Sequence, residues 1–490
     1  LRSNPALAWL RAPAAPRIAV HALLLVRAVM AALVPLTADE AYYWLWSKHL
    51  DVGYLDHPPA IAWLIRLGTA IFGDTPFGVR VAGILLSGLA TMFVWESARI
   101  LLKSEARAFT AALLFNLTLM VSIEMLAATP DMPSLVTSAG LLFCLVRLQD
   151  SGQARWWLWA GLAAGLSLLS KYSALFEIAG VFLWLALAPQ QRKWFATPWP
   201  WAAAILALLV FAPNLVWQTS HDWETFVFQG NRVVGHHLTT RFLFEFLGAQ
   251  LGLASPFLFV LGLAGLARAR PQKNSENILF LPAMLAWPGI LYFLIHALHD
   301  RVQGNWPCFL YPAFVILAVS EFSRAGWRRW CAAAAAPVAA LLLLVVYGQA
   351  LTGFLPMGAR DPLARLLGVG FRPVADSLAG AVRAQGIGAV LTTDYESTAW
   401  LRFYEPGLTV VQIGEVYRYP TSPMPDAALM RRPLLYFVEH KRDQSAELRK
   451  HFSSVSLATQ LRIGKAGREL ALYEIYAVET PKAPVPGRIP

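Results

Sequence analysis

"TADEAYYWLWSKHLDVGYLDHPPAIAWL" (37–64) directly follows an apolar stretch, 18–36, of the length that crosses a bilayer. Within it Asp39, Glu40, Asp51, Asp56 and His57 stand among aromatic side chains and ahead of Pro58 and Pro59. The next apolar run begins near residue 79, so the connection is far longer than two membrane helices require. The stretch therefore reads as a chemically equipped loop carried on a membrane domain.

The rest of the chain supports that frame. Of 490 residues, 57% are hydrophobic and 14% charged, against about 25% charged in a soluble domain. Nineteen Trp suit the interfacial belts where indole rings settle. Apolar segments at 18–36, 79–98, 108–124, 133–149, 156–170, 172–189, 199–217, 242–267, 277–297, 307–322 and 331–352 predict a polytopic α-helical protein with about eleven transmembrane helices. Segment 18–36 is expected to stay as the first span rather than be cleaved as a leader.

The net charge of +11 does not point to nucleic acid, because the basic residues sit in short clusters between apolar segments. Sixteen Lys and Arg fall in one set of loops and seven in the other. The positive-inside rule then places the N-terminus in the cytoplasm and everything after about residue 353 outside. The three cysteines, Cys144, Cys308 and Cys331, have no metal-site spacing and predict neither disulfide nor thiolate site.

The outer segments hold the polar residues. In the first loop, 37–78, "DEAYYWLWSKHL" and "PPAIAWLIRLGTAIFG" have helical spacing with aromatic faces and read as helices lying in the membrane interface. From residue 353 the composition changes. "GAVLTTDY", "LTVVQI", "PLLYFVEH" and "LALYEIYAV" read as strands of a soluble α/β domain. The expected organisation is a membrane domain at 1–352, an outer domain at 353–480 and a disordered tail at 481–490.

Asp39 and Glu40 stand where the first span ends. Thr37 ahead of them makes a solvated helix start the plain alternative. Asp131, framed by Pro130 and Pro133, is either a helix cap or a second carboxylate facing the first loop. Lys171 lies between two apolar segments at the outer boundary, where it either snorkels or holds an anionic head group. His57 and Arg301 are further cations on that side. Tyr42, Tyr43, Asp56, Trp217, His221, Arg232, Asn305 and Trp306 combine aromatic planes with polar groups. That mixture suits a sugar, which has apolar C–H faces and polar edges, and suits a plain membrane interface too. Glu177 and Glu245 lie within apolar segments and are functional candidates by position. No nucleotide-binding, zinc-protease or serine-hydrolase motif appears.

With these residues in hand, the chain resembles the GT-C superfamily of membrane glycosyltransferases. The likeness is to the bacterial branch related to protein O-mannosyltransferases and the lipid A aminoarabinose transferase. The motifs carrying it are "DEAYYW…GYLDHPP", "ATPDMPSL", "LLSKYSAL", "PNLVWQTSHDWETFVFQ", "GNWPCFLYP" and "TTDYESTAWLRFYEPG". The aminoarabinose branch has a lysine before Pro-Pro and an Arg two residues after the Glu. Here those positions are His57 and Tyr42, which leaves the sugar and acceptor open. The resemblance implies an inverting glycosyltransferase in the bacterial cytoplasmic membrane. It would move a sugar from a polyprenyl phosphate such as undecaprenyl phosphate to a lipid A, cell-envelope glycan or protein acceptor outside. The chemistry of such a transfer, which needs a base for the acceptor hydroxyl and cations for the departing phosphate, makes Asp39 the expected general base, with Glu40 and Asp131 shaping the site and Lys171, His57 and Arg301 as candidates to hold the donor phosphate. A divalent metal (Mg, Mn or Zn) between Asp39 or Glu40 and Asp131 stays open. The expected partners are the lipid-linked donor, the acceptor and membrane lipids, with no nucleic acid and the chain as a monomer. A secondary transporter would instead predict repeats and broken helices at the midplane. A structural envelope protein would tolerate loss of the outer carboxylates.

Overall fold

The computed structural model describes residues 14–231, 238–270, 277–419, 427–465 and 468–482. Its helices run in chain order as α1 (Ala14–Leu33), α2 (Ala38–Lys48), α3 (Ala60–Phe72), α4 (Pro76–Leu102), α5 (Glu105–Leu117), α6 (Leu119–Glu124), α7 (Asp131–Ser151) and α8 (Trp156–Ser170). They continue as α9 (Ala174–Leu187), α10 (Trp199–Ser220), α11 (Glu224–Asn231), α12 (Arg241–Ala254), α13 (Pro256–Arg268), α14 (Phe280–His296), α15 (Tyr311–Val319) and α16 (Trp327–Thr352). Four of them, α4, α7, α10 and α16, are long and apolar enough to cross a membrane among the described residues, or up to six spans if each bent pair counts as one.

The apolar pattern does not show where a span breaks. The run at 108–124 is two helices, α5 and α6, because Thr118 leaves the helix with ψ of 138° and caps the next with its side chain. The run at 242–267 turns by 106° between α12 and α13. There Ser255 takes a positive φ of 71°, and Pro256, lacking an N–H, starts the new helix. Where neighbours pack, small residues let backbones approach. A Cβ added at Gly161 of α8 would strike the backbone of Ala203 in α10, and one at Gly180 of α9 would strike that of Met284 in α14.

The chain forms two compact units that interleave in sequence, where a single cut at 352/353 was expected. The first comprises the chain up to Ala32, Asp51–Gly68 and Arg80–Val345. The second comprises Leu33–Leu50, Thr69–Val79 and the chain from Val346 onward. Side-chain chemistry explains why α2 joins the second unit. The Trp400 indole donates to the Leu36 carbonyl at 3.0 Å, and Trp44 meets Phe403 edge to face at 5.0 Å.

The second unit continues with α17 (Pro362–Leu366), α18 (Phe371–Gln385), β1 (Ala389–Thr392), α19 (Tyr395–Tyr404), β2 (Val410–Gln412), α20 (Ala427–Met430), β3 (Leu434–Glu439), α21 (Ser445–His451), β4 (Val455–Lys465) and β5 (Arg468–Val478). The sheet order is β2-β1-β3-β5-β4. β1 pairs in parallel with β2 and β3, and β5 runs antiparallel to β3 and β4. Leu391, Tyr436, Leu448 and Tyr476 are buried in its core. Three strands, β1, β2 and β3, fall within the runs read as strands, and β5 covers the fourth run and starts two residues earlier. β4 was missed because it is an edge strand whose side chains are mostly exposed, so its sequence lacks the apolar alternation of a covered strand. The end of the chain expected to be disordered, 481–490, lies beyond the described residues after 482.

Candidate active site

Asp131 opens α7 and is buried, with 3% exposure. The cap position of α7 is Pro130, which makes no side-chain bond, and Asp131 is the first residue inside the helix. Its side chain collects three donors from distant segments. The Lys171 ammonium donates at 2.6 Å and the Cys308 thiol at 2.9 Å to one oxygen, and the Asn305 amide donates at 2.8 Å to the other. Three donors are what an ionised carboxylate needs when removed from water. Lys171 sits where α8 ends, its backbone extended at φ −159°, in the turn before α9. Burial is the largest influence and works to lower its pKa, but the charge and hydrogen bond of Asp131, together with Cys308 and Glu124 nearby, turn the net direction upward, so the ammonium keeps its proton. Among the described residues Asp131 is the acceptor given to this ammonium, which has three N–H donors in all.

Asp51–His57 is strapped onto the first unit by amide and indole donors. Asn214 donates to the Val52 carbonyl at 2.8 Å and Trp217 to the Asp51 carboxylate at 3.1 Å. Thr225 donates to the Tyr54 carbonyl at 3.0 Å and Gln229 to the Asp56 carbonyl at 2.7 Å. Tyr172, next to Lys171, ties this network together by donating to Asn214 and accepting from Gln218. His221 stacks on Trp217 with centroids 3.9 Å apart and planes 12° apart. The following turn places Asp222 and Trp223 at φ of 51° and 58°, left-handed conformations that cost side-chain-bearing residues energy and often mark binding loops.

Asp39 and Glu40 have different fates within the second unit. Glu40 is fully buried and closes a capping box: Thr37 N–H donates to its carboxylate at 2.9 Å while Glu40 N–H donates to the Thr37 hydroxyl at 3.2 Å. This is the helix start that Thr37 allowed for. Asp39, one position earlier, is half-buried and accepts from the Tyr395 hydroxyl at 3.0 Å. Burial, then the Asp39 charge, pushes the Tyr395 phenol well above its usual range, so it remains a donor. Asp39 and Tyr395 line a cavity of about 300 Å³. Tyr42, buried at 2%, packs edge to face on Tyr395 and Tyr419 with centroids 5.6 Å away in each case, and Tyr43 packs on Trp46 at 4.8 Å. The Arg418 guanidinium stacks over the Tyr395 ring at 4.9 Å.

The structure thus joins Asp131, Lys171 and Asn305 into one cluster and Trp217 and His221 into another. Arg301 is half-exposed and paired with Glu245 at 3.0 Å, which also meets Arg241 at 2.9 Å. Trp306 lies in an aromatic group with His296, centroids 5.8 Å apart. His57 is half-buried, the Asp56 side chain is buried, and Arg232 lies outside the described residues. Glu177 accepts from Ser138 at 2.8 Å inside the helical core. Sequence reasoning missed Tyr395 and the role of Cys308. Both sit inside motifs already singled out, "TTDYESTAW" and "GNWPCFLYP", but nothing in the sequence pairs them with particular carboxylates. Among the described residues no three His, Cys, Asp or Glu side chains gather to hold a metal.

Comparison with known proteins bears on this arrangement. The family described as dolichyl-phosphate-mannose-protein mannosyltransferase matches residues 56–217, which takes in His57, Asp131 and Lys171 and begins after Asp39. The lipid A galacturonosyltransferase RgtD of Rhizobium johnstonii is 30% identical over 291 residues, 57% of this chain and 59% of its own length. An undecaprenyl phosphate-alpha-4-amino-4-deoxy-L-arabinose arabinosyl transferase of Pseudomonas fluorescens is 25% identical over 290 residues, 56% of this chain and 51% of its own. The chain spans little more than half the length of these curated relatives. In three dimensions, ArnT from Cupriavidus metallidurans bound to undecaprenyl phosphate matches with a TM-score of 0.62 at 15% identity, over 94% of this chain and 97% of that one. The two share a fold.

Proposed function

We propose that this chain, a GT-C-type relative of ArnT and the protein mannosyltransferases, is an inverting glycosyltransferase. It takes a sugar from a polyprenyl-phosphate donor and passes it to an acceptor hydroxyl on the outer side of the bacterial cytoplasmic membrane. The single observation that carries this reading is the buried Lys171–Asp131 pair at 2.6 Å. A lysine charge retained at the ends of apolar helices is expensive unless it has work to do, and an anionic lipid head group is the ligand that arrives there. Asp131 engages one of its three N–H donors, leaving the ammonium able to meet phosphate oxygens. Asp131 is then a positioning group, with Asn305 and Cys308 fixing its orientation.

The chemistry divides between two tasks. The acceptor oxygen forms a bond to the anomeric carbon as the carbon–phosphate oxygen bond breaks, and the polyprenyl phosphate leaves with the electron pair. Asp39 accepts the hydroxyl proton, its carboxylate held by Tyr395, a contribution of about 10²–10⁴-fold for general base catalysis. Lys171 stabilises the charge that grows on the departing phosphate. Phosphate leaves readily, so no strong acid is needed, and a single displacement inverts the anomeric centre. The remaining parts of the reading are a cytoplasmic N-terminus, about eleven crossings, interfacial helices α2 and α3, a periplasmic C-terminal sheet and a monomeric chain. The basic-residue asymmetry of the loops supports the orientation.

The test uses purified protein in nanodiscs with undecaprenyl phosphate and its sugar-linked forms. Wild type should bind the lipid phosphate and transfer sugar to lipid A or an envelope glycan. Lys171→Ala should weaken lipid-phosphate binding more than Lys171→Arg, which keeps the charge. Equal affinity in wild type and Lys171→Ala would remove Lys171 from donor binding.

A further inference from the structure

The cavity beside Asp39 lies wholly within the second unit. The starts of α2 and α19, the segment around α17 and the strand β5 frame it. Its volume of about 300 Å³ is at the lower end of small-molecule sites, about 300–1,000 Å³. That is room for one sugar ring with its substituents, not for a lipid chain.

Its charges decide what it takes. Arg365 and Arg442 line it, but so do Asp39, Glu396 and Glu439. Arg442 is already bound to Glu396 at 2.7 Å and Asp394 at 3.5 Å, so its charge is balanced within the wall. With Arg442 and Glu396 paired to each other, the lining leaves Arg365 beside Asp39 and Glu439, so a phosphate or carboxylate entering here would gain one cation but face two acids as it lost its hydration. An uncharged ligand rich in hydroxyls meets the opposite situation, because carboxylates accept from hydroxyls and guanidinium groups donate to them. The aromatic walls, Tyr395, Trp400 and Tyr473, offer surface for the apolar C–H face of a ring. They are held rigidly, Trp400 against Phe371 at 5.0 Å and Tyr473 stacked on Phe437 at 5.0 Å and 8°.

We infer that this cavity is a binding subsite for an uncharged, hydroxyl-bearing sugar residue of the acceptor, presented to the Asp39 carboxylate. The acceptor role rests on the reading of Asp39 as the base, since the hydroxyl that lies beside a base is the one that gives up its proton. The same charge balance disfavours a phosphate inside the cavity itself, so the acceptor sugar and the donor phosphate are recognised by different chemistry.

Binding can be measured without turnover, which separates this inference from the proposed reaction. The full chain in nanodiscs is titrated with methyl galactoside, with galacturonate and with undecaprenyl phosphate, read by saturation-transfer NMR. Methyl galactoside should bind saturably, with a dissociation constant on the order of 1 mM for so small a ligand. Ala471→Phe, which fills the cavity from β5, should weaken it about tenfold or more. Glu439→Gln, a half-buried rim change that preserves size, should weaken it several-fold. Undecaprenyl phosphate affinity should be unchanged in both. Unaltered methyl galactoside affinity in both variants, or tighter binding of galacturonate than of the neutral glycoside, would overturn the subsite. Absence of sugar transfer by wild type would count against the proposed reaction alone.

Discussion

The Asp131–Lys171 pair makes a prediction whose size follows from its surroundings. The two side chains are 4% and 12% exposed and 2.6 Å apart. Lys171→Met leaves a buried carboxylate with only Asn305 and Cys308 as donors, and Asp131→Asn leaves a buried ammonium without its counter-charge. Breaking a buried pair from one side costs about 3–5 kcal/mol. If the two changes were independent, the double variant would lose about 6–10 kcal/mol, the sum of those costs. Here the second change removes the charge the first one stranded. The double variant should therefore be no less stable than either single, a coupling of about 3 kcal/mol or more, equivalent to roughly a hundredfold in the unfolding equilibrium. The assay is unfolding of all four proteins in mixed micelles under conditions where refolding is reversible. Single and double effects that add to within about 0.5 kcal/mol would refute the pairing. The double variant has a second use: it should be folded yet fail to bind undecaprenyl phosphate, which separates the stability of the pair from its work on the donor.

Asp39→Asn should lower transfer by about 10²–10⁴-fold with lipid-phosphate binding intact. Turnover near wild type would return Asp39 to an ordinary helix start. Glu415 accepts from the Tyr395 backbone N–H at 2.8 Å, and burial, the largest influence, raises its pKa above the usual carboxylate value. A raised folded-state pKa means that the stability linked to this group is full below the ordinary value and is lost as pH rises through the raised one. Glu415→Gln should flatten that decline, and an unchanged pH dependence of melting would show that Glu415 does not titrate in this way. A topology reporter fused after Thr352 should register outside the cytoplasm, and a cytoplasmic signal would reverse the proposed orientation.

The membrane-borne helical character was legible because it rests on additive quantities. Apolar run length and low charge require no knowledge of neighbours. The strands β1, β2, β3 and β5 were legible for a similar reason, as each carries enough apolar residues to announce a covered face. β4 was not, because as an edge strand its identity comes from hydrogen bonding to β5 rather than from its own side chains. The breaks at Thr118 and Ser255 were equally hidden. A hydropathy window averages across one extended residue, while backbone direction depends on it alone.

The site divides in the same way. By itself the sequence determined which residue types were available and that they cluster outside the apolar runs: Asp39, Glu40, Asp131 and Lys171 were all identifiable from position and setting. Only the tertiary structure decided what each one does with its charge. Thr37 and Glu40 close on each other through local backbone geometry, whereas Asp39, one residue away, meets a hydroxyl more than 350 positions later, the Tyr395 partner at 3.0 Å. Asp131 draws its donors from Lys171, Asn305 and Cys308, three points that come together only when the helices pack. Hydrogen bonds act over about 3 Å in space and are indifferent to separation along the chain. The sequence could therefore supply the acids and the lysine, but only the packed helices could choose the partner of each.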